Sequence, residues 1–87
     1  LKLTLLSRSY CSLCDEMHAA VVPLAAASGV EVIVVDVDAD AALEAAYGER
    51  VPVLVLGVPG AGIELCHYHL DRARVVQALD AVGCPAR

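Results

Sequence analysis

The sequence predicts a small α/β domain, a four-stranded mixed sheet flanked by three helices in the order β-α-β-α-β-β-α. Three observations support this. Short β-branched or aliphatic runs alternate with longer Ala- and Leu-rich stretches. The run Gly57-Val58-Pro59-Gly60-Ala61-Gly62 is dense in turn chemistry. Finally, 59% of the 87 residues are apolar, with 15 Ala, 14 Val and 12 Leu against three aromatics, all Tyr, so the core must be aliphatic. A chain of this length buries roughly 60–65% of the surface its unfolded form exposes, enough for one core, so residues 1–87 are expected to form a single domain.

Leu1 to Leu6 reads as a short buried strand. Cys11 to about Ser28 reads as the first helix, with Gly29 as its stop signal and Pro23 expected to kink or interrupt it near Val22. Val30 to Val37 (VEVIVVDV) is the clearest strand, a near-continuous β-branched run suited to a sheet covered on both faces. Asp38 or Asp40 can cap a short second helix through Tyr47, ended by Gly48. Pro52 to Leu56 is a third strand, and Ile63 to His67 returns antiparallel to it. Asp71 to Val82 is the last helix, with Val75, Val76 and Leu79 on one stripe and Gly83 closing it. The first strand–helix–strand unit requires a right-handed crossover and a parallel pair. This element order is that of a minimal thioredoxin fold.

Charge and hydropathy exclude several function classes. Six basic residues against 11 acidic ones give a net charge of −5. Nucleic-acid binding needs clustered Lys and Arg, and no basic stripe exists, so no nucleic-acid partner is expected. Mean hydropathy is high at +0.66. Yet the greasiest stretch, Ala19 to Ala27, is about half the ~20 residues of a spanning helix and contains Pro23, so no membrane span is expected. Leu1 to Leu6 lacks a secretory leader pattern, and a soluble cytoplasmic monomer is the expectation.

Four cysteines, Cys11, Cys14, Cys66 and Cys84, pose the functional question. Disulfide-stapled domains are typically secreted and poor in core residues, and this chain has core to spare. The Cys11-Ser12-Leu13-Cys14 spacing is therefore read as chemistry or as metal. It falls between the first strand and the first helix, where a separation of three puts both sulfurs on one side of a helical turn. Free N–H groups and the helix dipole there favour a thiolate, making Cys11 the nucleophile. Cys14, one turn deeper, is placed to resolve a mixed disulfide on Cys11. Asp15 and Glu16 oppose the thiolate, whereas Arg8 and the dipole favour it.

The segment Ser7-Arg8-Ser9-Tyr10-Cys11-Ser12-Leu13-Cys14 resembles the active-site segment of glutaredoxins, which carry a basic residue three positions before the first Cys and often Tyr just before it. Arg50-Val51-Pro52-Val53 resembles the segment holding that family's cis-proline, and the element order matches over residues 2 to 82. More closely, the chain resembles small bacterial glutaredoxin-like proteins of unassigned function, which have Leu before the second Cys and an acidic residue after it. The resemblance implies Cys11 as attacking and Cys14 as resolving cysteine, with Pro52 as the cis-proline shaping a substrate groove. It also implies that the Val51 backbone pairs with the bound thiol compound or peptide, and that Arg8 and Tyr10 border it. A thiol–disulfide oxidoreductase follows, acting on protein or low-molecular-weight disulfides without a tightly bound cofactor, with glutathione as a candidate co-substrate. Its potential is expected near the glutaredoxin range of about −200 to −230 mV.

The departures are specific. Ser12 stands where glutaredoxins usually carry Pro. Leu65-Cys66-His67-Tyr68-His69-Leu70-Asp71 lacks the Gly pair at which glutathione's carboxylate docks, which weighs against glutathione. Two other classes stay open at this point. One is a metal- or iron–sulfur-binding module in which Cys11 and Cys14 are joined by Cys66 and by His67 or His69. The other is a protein-interaction domain without turnover. His18 is a candidate proton relay or simply a helix surface residue. Cys66 and Cys84 read as small apolar core or terminal residues.

Overall fold

Side chains along two central strands alternate between two cores, and this alternation organises the molecule. The computed structural model describes residues 2–83. The central strands are β1 (Lys2–Ser7) and β3 (Val53–Leu56). On one face Leu3, Leu5, Leu54 and Leu56 join a buried cluster with Met17, Val21, Ala25, Val75 and Leu79. On the other, Leu6, Val53 and Val55 pack with Val37, Leu43 and Tyr47. The period of two along a strand makes both faces core. Thr4, buried among them, donates its hydroxyl to the Gly57 carbonyl at 2.7 Å.

The sheet order is β2-β1-β3-β4, where β2 is Glu31–Asp36 and β4 is Ile63–His67. β1 and β2 are parallel, and both other pairs are antiparallel, with an irregularity in the β3–β4 ladder between Leu54 and Val55. The helices are α1 (Ser12–Ala27), α2 (Ala41–Tyr47) and α3 (Arg72–Gly83). α1 and α3 cover one face and α2 the other. The predicted element order is the observed one, with one addition, a 3₁₀ turn at Val37–Ala39.

Local chemistry explains the boundaries. α1 buries Cys14, Met17, Val21 and Ala25, one stripe at helical spacing. It closes with a Schellman motif: the Gly29 N–H donates to the Ala26 carbonyl and the Val30 N–H to that of Ala25, with Gly29 at φ +69°. Asp40, rather than Asp38, caps α2, accepting from the N–H groups of Ala42 and Leu43. Asp71 plays the matching part for α3, accepting from Arg74 N–H at 3.1 Å.

Two expectations need correction. Pro23 does not interrupt α1, which runs through it. Pro23 and Ala19 both lie on the exposed side, so the carbonyl that loses its donor faces water. The β-branched run of β2 is only partly covered and lies at the sheet edge, with Val34 51% exposed. Edge position removes neighbours from one side, whatever the composition. The expected strand start at Leu1 and the expectation for Cys84 lie outside the described residues.

Leu5→Ala and Leu54→Ala should each lower unfolding free energy by about 2–5 kcal/mol in urea titrations, because both side chains are fully enclosed. Val34→Thr, on the exposed edge, should stay within about 0.5 kcal/mol.

Candidate active site

Strand register gathers three loops at one end of the sheet. Leu6 of β1 pairs with Val53 of β3, and Val53 pairs with His67 of β4. The segment leaving β1, the segment entering β3 and the turn leaving β4 are therefore neighbours. They carry Arg8 to Cys11, Gly48 to Pro52, and Tyr68 to Asp71.

Cys11 is the N-cap of α1, with extended backbone (φ −111°, ψ 103°). Its Sγ accepts the Cys14 N–H at 3.2 Å, and its carbonyl accepts the Asp15 N–H at 3.2 Å. Cys11 and Cys14 stand at disulfide distance, with Cα atoms 5.2 Å apart. The two sulfurs differ in access: Cys11 is half-buried, whereas Cys14 is 2% exposed. An N-cap sulfur faces the orphan N–H groups of the first helical turn, which stabilise negative charge developing on it. Asp15 and Glu16 are exposed, so solvent screens their opposition.

Tyr10 turns the chain from β1 into the cap. It adopts φ +61°, and its ring is fully exposed. Arg8 faces the other way. Its Nη2 donates to Asp38 Oδ1 at 2.9 Å and Glu44 Oε2 at 3.4 Å, and its Nη1 to the Gly48 carbonyl at 3.1 Å. The hydrogen bond to Asp38 raises the guanidinium's pKa further above its already high value, against partial desolvation. Arg8 thus ties the cysteine loop to α2, and contact with a substrate carboxylate would exchange these bonds.

The Val51–Pro52 peptide bond is cis. Around it, the Glu49 carbonyl accepts the Tyr68 hydroxyl at 2.9 Å, and the Pro52 carbonyl accepts the Tyr68 N–H at 2.9 Å. None of the described hydrogen bonds uses the Val51 N–H or carbonyl. Pro52 is buried and Val51 half-buried.

A cavity of about 170 Å³ opens between α1 and the turn after β4, lined by Leu13, Glu16, Met17, Ala20, Tyr68, His69 and Leu70. Leu13 lies within the Cys-x-x-Cys segment, so one residue of that segment borders the cavity. Sequence reasoning noted the missing Gly pair here but missed Tyr68. The structure gives Tyr68 φ +63°, a conformation usually left to glycine, and places it in the cavity lining. The one available signal was a tyrosine between the end of a strand and the start of a helix.

The remaining candidates separate from this centre. Cys66 is a free, half-buried thiol on β4, opposite Leu54, and burial pushes its pKa up. His67 contacts Glu64 at 3.3 Å, and His18 is exposed. Among the described residues no group of three or more His, Cys, Asp or Glu is positioned to hold a metal ion. No described helix is long and apolar enough to cross a membrane.

Comparison with known proteins agrees with this architecture. Protein Ne2328 from Nitrosomonas europaea, solved by NMR in solution, is 39% identical with a TM-score of 0.73, covering 88% of this chain and 87% of that one. Protein XcR50 from X. campestris, solved by X-ray, is 41% identical with a TM-score of 0.68, covering 92% and 97%. Thioredoxin 1 from Thermosipho africanus TCF52B shares the fold at 17% identity and a TM-score of 0.66, covering 93% and 92%. No curated protein matches the chain. The family model for the glutaredoxin-like domain (DUF836) matches residues 2–80, and the chain belongs to that family.

Proposed function

We propose that the protein is a thiol–disulfide oxidoreductase whose working group is the Cys11–Cys14 pair. The observation that carries this reading is the pairing of an accessible N-cap sulfur with a buried one a single turn deeper. A glutaredoxin-like thioredoxin fold with a cysteine pair at disulfide distance is compatible with redox chemistry.

In the reductive direction the Cys11 thiolate attacks one sulfur of a substrate disulfide. A mixed disulfide forms and the first substrate thiolate leaves. The Cys14 thiolate then attacks Cys11 Sγ, releasing the second substrate thiolate and forming the Cys11–Cys14 bond. Two electrons pass from the dithiol to the substrate, and the two cysteine protons end on the released thiols. An external thiol reductant resets the pair. The N-terminal N–H groups of α1 hold charge on Cys11 at each stage.

Tyr10 and the cavity beside Leu13 offer apolar contact next to the reacting sulfur, and Val51 offers backbone groups for an extended partner to pair with. In this reading the partner is a disulfide in a protein or a low-molecular-weight compound. Glutathione is a co-substrate to be tested, Arg8 borders the groove only by exchanging its bonds to Asp38 and Glu44 for a substrate carboxylate, and the cytoplasm is the reducing setting in which a monomer works.

Cys11→Ser should lower disulfide reduction by at least roughly 10³-fold, and Cys14→Ser should trap the mixed disulfide. Cys14→Ser treated with oxidised glutathione tests that co-substrate, a gain of one glutathionyl group on Cys11 in the intact mass supporting it. An unmodified mass removes glutathione, and retained turnover in Cys11→Ser reverses the roles. In reduced wild-type protein, iodoacetamide at pH 7 should modify Cys11 first and Cys66 slowly. Because burial raises the Cys66 pKa, its modification should accelerate only at more alkaline pH than a free thiol's. Peptide mapping across a pH series checks this.

A further inference from the structure

The segment that carries Val51 is held from outside by a side chain the redox chemistry does not use. Arg50 precedes Val51 directly. Its Nη1 donates to both carboxylate oxygens of Glu64 on β4, each at 2.7 Å. Its Nη2 donates to the Ala46 carbonyl at 3.2 Å, and the guanidinium lies 5.4 Å from the centre of the Tyr47 ring. The backbone N–H of Arg50 donates to the Tyr47 carbonyl at 2.8 Å. One residue thus joins the end of α2 to the β4 edge, immediately before the Val51 N–H and carbonyl, which none of the described hydrogen bonds uses.

We propose that Arg50 is a positioning residue: its grip on Glu64 fixes the Val51 backbone where an extended peptide disulfide pairs with it. The inference rests on the oxidoreductase reading and adds to it a preference for substrates with a peptide backbone. A small disulfide without amides needs Cys11 alone, whereas a peptide also needs Val51 held in register. Arginine suits the task because its planar fork makes these contacts simultaneously, which a lysine ammonium cannot reproduce. The opposite anchor is independent, since Tyr68 holds Glu49 and Pro52 through its hydroxyl and N–H. His67 shares Glu64 at 3.3 Å and does not displace Arg50 from it. The pair is half-exposed, so it contributes little to global stability, and its loss should appear as misplacement rather than melting.

The test is single-turnover oxidation of the fully reduced chain by two probes, a terminally blocked hexapeptide disulfide dimer and hydroxyethyl disulfide, followed by acid quench and mass analysis. Arg50→Ala should raise the half-saturating peptide concentration on the order of tenfold while the limiting rate changes little. The loss with hydroxyethyl disulfide should be several-fold smaller, and Arg50→Lys should recover part of the peptide effect. In a Glu64→Ala background, Arg50→Ala should add little further loss, as expected for one shared contact. Equal losses on both probes, or fully additive losses in the double variant, overturn the inference. Unfolding midpoints are measured for each variant, and the isosteric Glu64→Gln repeats the comparison should an alanine variant fail to fold. If neither probe oxidises the wild-type dithiol, the oxidoreductase reading falls and takes this inference with it. Oxidation by both without discrimination removes this inference alone.

Discussion

β1 and β3 are buried on both faces, and most of the remaining architecture depends on that constraint. A one-residue slip between them would exchange the residues that face α1 and α3 with those that face α2, leaving each core with side chains chosen for the other. The register of Leu6 against Val53, and of Val53 against His67, is thereby set by packing. The same register determines which chain segments emerge together at the end of the sheet. The cysteine loop, the Val51–Pro52 segment and the Tyr68 turn are close because aliphatic side chains elsewhere admit one alignment.

On that scaffold the helix terminus supplies the chemistry. The same geometry that caps α1 with a sulfur exposes that sulfur to unsatisfied N–H groups and buries its partner beneath it. The basic residues nearest the site serve mainly as ties. Arg8 is bound to Asp38, Glu44 and Gly48, and Arg50 to Glu64 and Ala46. They tie α2 to the cysteine loop and to β4, so the site is braced by polar bonds at its rim and by apolar packing below.

Much of this was legible in the sequence, for identifiable reasons. The alternating helical and extended runs, the Gly29 stop and the turn-rich Gly57–Gly62 segment encode local structure, and local structure sufficed to order the elements. The Cys11–Cys14 spacing by itself places both sulfurs on one turn. Other features depend on partners distant in sequence. The engagement of Arg8 requires knowing that α2 packs beside the β1 loop. The grip of Arg50 on Glu64 spans 14 positions and crosses from helix end to strand. Tyr68 is informative only through its left-handed backbone and its bonds to the Glu49 and Pro52 carbonyls. β2 composition suggested full burial, but edge position is a property of strand order, which a single strand's residues do not encode. Pro23 leaves α1 continuous because the carbonyl it orphans faces water, which the proline itself does not encode.

The central claim is that Cys11 and Cys14 form a reversible redox couple on this scaffold. The direct measurement is equilibrium titration of the pair in dithiothreitol redox buffers, approached separately from reduced and oxidised protein, with acid quench, alkylation and intact-mass readout. The account predicts one two-electron transition, superimposable from both directions, in which only Cys11 and Cys14 change state. Failure of the two approaches to converge, or a transition in which Cys11 pairs with a different cysteine, would contradict it.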